Sequence, residues 1–70
     1  MHTLLEFVIL RPGSTTSGSA PRIHNAEDFS VGDSIDLEEP DATGTFLIER
    51  IEGPYEAAGR RRLKFYLVRE

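Results

Sequence analysis

The sequence has no cysteine and no tryptophan, and its longest apolar runs are far shorter than a membrane span. Without a thiol there is no disulfide to staple a small fold, no thiolate zinc site, no CxxC redox pair and no cysteine nucleophile. A helix that crosses a bilayer needs about 20 consecutive apolar residues, and Glu6 already interrupts the N-terminal run LLEFVIL (residues 4–10). That run also lacks the preceding basic region and the following small-residue cleavage site of a secretory leader. A cytoplasmic protein with no membrane role is therefore the expectation. Histidine is scarce as well: His2 and His24, even with Glu27 and Asp28 nearby, do not supply three ligands at a metal-binding spacing, so neither a metal nor another cofactor is expected.

What remains is a chain of 70 residues, enough for one domain and too little for two cores. A domain of this size buries only about 60% of the surface its unfolded chain exposes and is held by a few kcal/mol, so packing and association must provide what covalent staples do not. The net charge of −4 is spread unevenly. Residues 23–56 hold ten acidic residues against Arg50 alone, whereas residues 57–70 hold five basic residues against Glu70. Most of the chain would repel nucleic acid, and only its last stretch would attract it.

Strand signals dominate. TLLEFVILR (3–11) is rich in β-branched and aromatic residues and stops at the turn pair Pro12-Gly13; SIDLE (34–38) alternates with period two, turning Ile35 and Leu37 inward and Asp36 and Glu38 outward. TFLIERIE (45–52) ends at Gly53-Pro54, and RLKFYLVR (62–69) follows. Residues 25–29, NAEDF, have room for one helical turn capped by Asn25. The segment PGSTTSGSAPR (12–22) offers no apolar anchor and reads as a mobile loop, and with no lysine and no helix after it, it is no phosphate cradle. The last two strands fit a hairpin in which paired residue numbers sum to 113, so that Phe46 meets Leu67, Ile48 meets Phe65, Leu47 meets Tyr66 and Glu49 meets Lys64; a sum of 111, with Glu49 opposite Arg62, also fits. Both leave residues 53–60 as a protruding tip. The fold class expected is all-β, a single antiparallel domain of four or five strands over residues 1–70.

One stretch carries family character. In DFSVGDSIDL (28–37), Phe29 and Val31 lead into Gly32-Asp33, where glycine permits a positive φ and aspartate can bond turn amides before the strand begins. This resembles the entry to the second strand of small five-stranded barrels of the Src-homology-three-like and ribosomal KOW type, and is similar to the PUA and ASCH barrels. The resemblance spans residues 28–52 and implies a partly open barrel used as a binding module for RNA or peptides. The basic loop of KOW modules and the tryptophan cluster of proline-peptide grooves are both missing.

Catalysis is not expected. The carboxylate pairs Glu38-Glu39 and Glu27-Asp28 lie beside turns, and Ser14, Ser17 and Ser19 have no base nearby in sequence. Two surfaces remain as candidates. Apolar side chains fall on both faces of the strands: Leu4, Val8 and Leu10, with Leu47, Ile51, Tyr66 and Val68, occupy the face opposite the core, where either residues 20–31 fold over them with Ile23, Phe29 and Val31 as a lid, or a protein partner, a second copy included, covers them. Leu47, Ile51, Tyr66 and Val68 are the candidate contacts. The alternative is nucleic-acid binding by Arg60, Arg61, Arg62 and Lys64 with Tyr66 as a stacking platform. In the plainer reading of that basic strand, Lys64 and Arg61 neutralise Glu49 and Glu52 across the hairpin.

Overall fold

A computed structural model describes residues 3–70. Five strands and one 3-10 turn follow one another: β1 (Leu4–Arg11), β2 (Ser14–Ser19), the turn Ala26–Asp28, β3 (Ser34–Glu39), β4 (Ala42–Ala57) and β5 (Arg60–Arg69). They form one mixed sheet in the order β2-β1-β5-β4-β3, curled into a half-barrel. Neighbours run antiparallel except β1 and β5, which are parallel. A β1-β2 hairpin and a β3-β4-β5 meander are thereby joined side by side, and residues 20–33 make the crossing that a parallel pair requires.

The concave face of the sheet is the core. Leu5, Phe7 and Ile9 of β1, Phe46 and Ile48 of β4, and Phe65 and Leu67 of β5 are all sealed from solvent, and each set follows the period-two alternation read from the sequence until a bulge intervenes. Ile35 and Leu37 point inward from β3 while Asp36 and Glu38 point out. Ile23 and Phe29 close the concave side, Phe29 meeting Phe65 edge to face at 5.9 Å. The crossing segment is thus a lid on the core and not on the opposite face, and Val31, expected in that lid, is 60% exposed. Concavity decides the matter, because only the hollow side offers a space that the Ile23 and Phe29 side chains can fill.

Residues 12–22 contain the second strand, where a loop was expected. A strand at a sheet edge needs only a neighbour's free backbone, which β1 supplies from Glu6 to Arg11, so serine and threonine serve without an apolar anchor. Close packing still constrains it: a Cβ on Gly18 would lie 2.8 Å from the tip of the Phe7 ring. The helical turn forms at Ala26–Asp28, but Asn25 makes no side-chain cap; its carbonyl accepts the Asp28 amide instead. The Gly32-Asp33 turn matches its sequence reading, with Gly32 at φ 97° and the Asp33 carboxylate accepting the Ser30 amide at 2.8 Å.

The β4-β5 register differs from both expected pairings. Leu47 lies opposite Val68, Arg50 opposite Tyr66, Glu52 opposite Lys64 and Glu56 opposite Arg61, with irregularities between Ile48 and Arg50 and between Glu52 and Tyr55. Each irregularity adds a residue on β4, which no constant-sum pairing can represent. β4 also runs through Gly53-Pro54 to Ala57, so the protruding tip contracts to Ala58-Gly59, both at positive φ (55° and 73°) as in a two-residue type I′ turn.

Candidate functional site: the convex face of the sheet

Side chains on the convex face follow from the pairings. β5 presents Arg62, Lys64, Tyr66 and Val68; β1 presents Leu4, Glu6, Val8 and Leu10 beside them; β4 presents Leu47 next to Val68. One end of this face is apolar. Leu10 is 38% exposed, and Val8, Leu47, Tyr66 and Val68 are half-buried and contiguous across β1, β5 and β4. Leu4, also expected on this face, is nearly buried.

Ile51 does not belong to this patch. The bulge at Glu49 shifts the alternation by one residue, so that Ile51 pairs with Phe65 and packs against the core instead of lying beside Leu47. Of the four candidate contacts, the fold brings Leu47, Tyr66 and Val68 together. It adds Val8 and Leu10, which the sequence had already placed on this face, and Arg50, whose guanidinium lies 4.2 Å over the Tyr66 ring. Only the bulge puts Arg50 opposite Tyr66, and a bulge leaves no plain mark in the sequence.

The other end of the convex face is a polar lattice. Tyr55 donates its hydroxyl to Glu6, and Arg62 reaches the same carboxylate at 3.2 Å. Tyr66 donates to Glu52, which also meets Arg50 at 3.4 Å. The Tyr66 hydrogen bond, helped by the charges of Arg50 and Lys64, holds the Glu52 carboxyl below the usual carboxylate range. The bond to Glu6, with burial and the Glu6 charge behind it, raises the Tyr55 phenol above its ordinary value.

The basic residues of β5 do not assemble into one cationic patch. Alternation sends Arg62 and Lys64 to the convex face and Arg61 to the opposite side, where it meets Glu27 at 3.8 Å; Arg60 stands exposed at the turn. Carboxylates stand beside both convex residues: Lys64 lies between Glu52 and Glu6, and Arg62 is bound to Glu6. The salt bridges of the basic strand therefore run outside the hairpin, to Glu6 of β1 and Glu27 of the 3-10 turn, and not through the expected Glu49–Lys64 and Glu52–Arg61 pairs.

No cluster of three potential metal ligands exists among the described residues, and none of their helical segments is long and apolar enough to cross a membrane. His2 lies outside the described residues. No protein family matches the chain, and no curated protein or solved structure is significantly similar to it.

Proposed function

We propose that this protein is a non-catalytic interaction module that pairs with a second copy of itself through the apolar end of the convex face, centred on Leu47, Tyr66 and Val68. The observation that carries this reading is the destination of the crossing segment. Ile23 and Phe29 pack on the concave core, so the described chain has nothing left with which to cover Leu10, Val8, Leu47 and Val68. A small domain leaves contiguous apolar surface open mainly where another surface will meet it. The composition of the patch fits a contact surface: a tyrosine already stacked by an arginine, ringed by aliphatic groups and bordered by charges, resembles the aromatic and arginine anchors within a polar rim that dominate protein contacts.

Self-pairing is favoured over an unlike partner because the patch borders opposite charges. Asp36 and Glu70 lie beyond Leu47 and Val68 at one end, hydrogen-bonded to Thr45 and Ser34, while Arg50 and Lys64 lie at the other. A two-fold axis across the strands would set Asp36 and Glu70 of each copy over Arg50 and Lys64 of the other, which sit among the carboxylates of Glu52 and Glu6. Nucleic-acid binding through β5 is the weaker reading, since the arginines divide between faces and Arg62 and Lys64 sit beside carboxylates.

Sedimentation over a concentration series tests the proposal. A mass approaching twice the 7.8 kDa of the chain is expected at tens of micromolar, falling to a single chain for Leu47→Glu with the β-sheet circular dichroism intact. Single-chain mass for both proteins across the range would refute it. Raising salt should weaken the pair only modestly, whereas phosphate-driven binding would fall steeply.

A further inference from the structure

The strand order leaves two free edges, β2 and β3, among the described residues. They differ in kind. β2 carries only serine, threonine and glycine. β3 carries Asp36, Glu38 and Glu39 and borders a cleft of about 180 Å³, walled on the far side by Ala20, Arg22 and Ile23 and floored by Leu37. The far wall is braced by the backbone: the Ala20 amide donates to the Leu5 carbonyl at 2.8 Å, and the Ile23 amide to Ala20 at 3.1 Å. The opening of the half-barrel is therefore a groove with one side made of an unpaired strand edge.

The backbone of that edge is oriented outward at alternate residues. The Ile48 amide donates to the Asp33 carbonyl, and Ile35 pairs with Phe46, so the peptide groups of residues 33, 35, 37 and 39 serve β4. Those of Ser34, Asp36 and Glu38 then point away from the sheet, toward the groove. We infer that this edge takes an extended peptide as a sixth strand, one with basic side chains at every second position and apolar side chains between them.

Both halves of that pattern come from the groove. A strand added to β3 would place alternate side chains on the convex side, beside the Asp36 and Glu38 carboxylates, and the intervening ones in the cleft, over Leu37, Ala20 and Ile23. Three carboxylates against Arg22 leave the walls with a net negative charge, which favours lysine or arginine on the guest. Main-chain hydrogen bonds to residues 36 and 38 supply the attachment, and the charges set the register. This surface adjoins the face used for pairing and shares Asp36 with it, but the groove and the free β3 edge stand whether or not that pairing occurs.

The test is a titration of the isotope-labelled full chain with a blocked eight-residue peptide alternating lysine and valine, followed by amide chemical shifts and hydrogen exchange. Exchange at the amides of Asp36 and Glu38 is expected to slow at least tenfold at saturation, and the peptide with glutamate in place of lysine should bind at least tenfold more weakly. Asp36→Pro removes an outward amide without touching the β4 ladder; it should abolish binding while core shifts at Leu5 and Phe65 stay in place. Asp36→Asn with Glu38→Gln tests the same site with every backbone donor retained, and should lower affinity at least tenfold. Leu47→Ser, which weakens the proposed pairing, should leave peptide affinity within twofold. Equal binding of both peptides, undiminished binding by the double variant, perturbations centred on Leu47 and Val68, or no response at millimolar peptide would each overturn the inference.

Discussion

Phe65 and Tyr66 are adjacent in β5 and of nearly equal size, yet one is sealed among Phe7, Phe46 and Ile48 while the other lies half-open under an arginine. The whole sheet divides as this pair does. On the concave face the chain completes its own packing, bringing Phe29 and Ile23 over the hollow; on the convex face comparable aliphatic groups end at solvent, interleaved with Glu6, Glu52, Arg50 and Lys64. The concave side therefore accounts for most of the stability, which leaves the convex side available for the proposed pairing.

The sharpest way to break this division is to exchange the two aromatics. Phe65→Ala should cost about 3 to 5 kcal/mol, enough to unfold most molecules of so small a domain, whereas Tyr66→Ala should cost about 1 kcal/mol or less, with urea midpoints giving the difference. Equal losses would mean that the convex face carries more of the fold than its exposure indicates. A second pair probes how far close packing extends toward the edge. Gly18→Ala presses a methyl group into the Phe7 ring and should cost about 1 to 3 kcal/mol, while Ser17→Ala, one residue away and exposed, should change stability by less than about 0.5 kcal/mol.

Smaller effects belong to the turn and to the polar lattice. Ala58 holds a left-handed conformation that asparagine tolerates better, so Ala58→Asn should raise the thermal midpoint by the equivalent of about 0.5 to 1 kcal/mol without touching either face. The lattice should be visible in pH dependence. Because Glu6 raises the Tyr55 phenol, the hydrogen bond stabilises the fold from neutral pH up to the ordinary tyrosine range and is lost as pH climbs through the raised value. The stability gap between the natural chain and Tyr55→Phe should therefore be constant at neutral pH and close in strong alkali. At the acid end, Glu52 is held low, so its contribution is present above the ordinary carboxylate range and fades as pH falls through the lowered value; Glu52→Gln should flatten that part of the profile.

Composition and alternation carried much of this structure in plain sight. The all-β class, the turn at Gly32-Asp33 and the inward set Ile35, Leu37, Phe46, Ile48, Phe65 and Leu67 follow from period-two patterning and from the turn residues between strands. β2 was hidden because its polar residues look like a loop until β1 offers an edge to pair with. The bulges were hidden because inserting a residue changes no local preference, and the one at Glu49 alone moved Ile51 into the core and Arg50 onto Tyr66. The parallel β1-β5 contact, which turns a flat meander into a half-barrel, depends on a crossing of more than ten residues whose route no local signal specifies.

The proposed contacts between copies are tested directly by mixing carbon-13-labelled chain with unlabelled chain and recording isotope-filtered intermolecular nuclear Overhauser effects. Cross-peaks from the methyl groups of Val8, Leu47 and Val68 on one copy to the Tyr66 ring of another are the predicted result. Their absence at millimolar concentration, or cross-peaks confined to residues away from the convex face, would contradict the claim that this face is where the protein meets its partner.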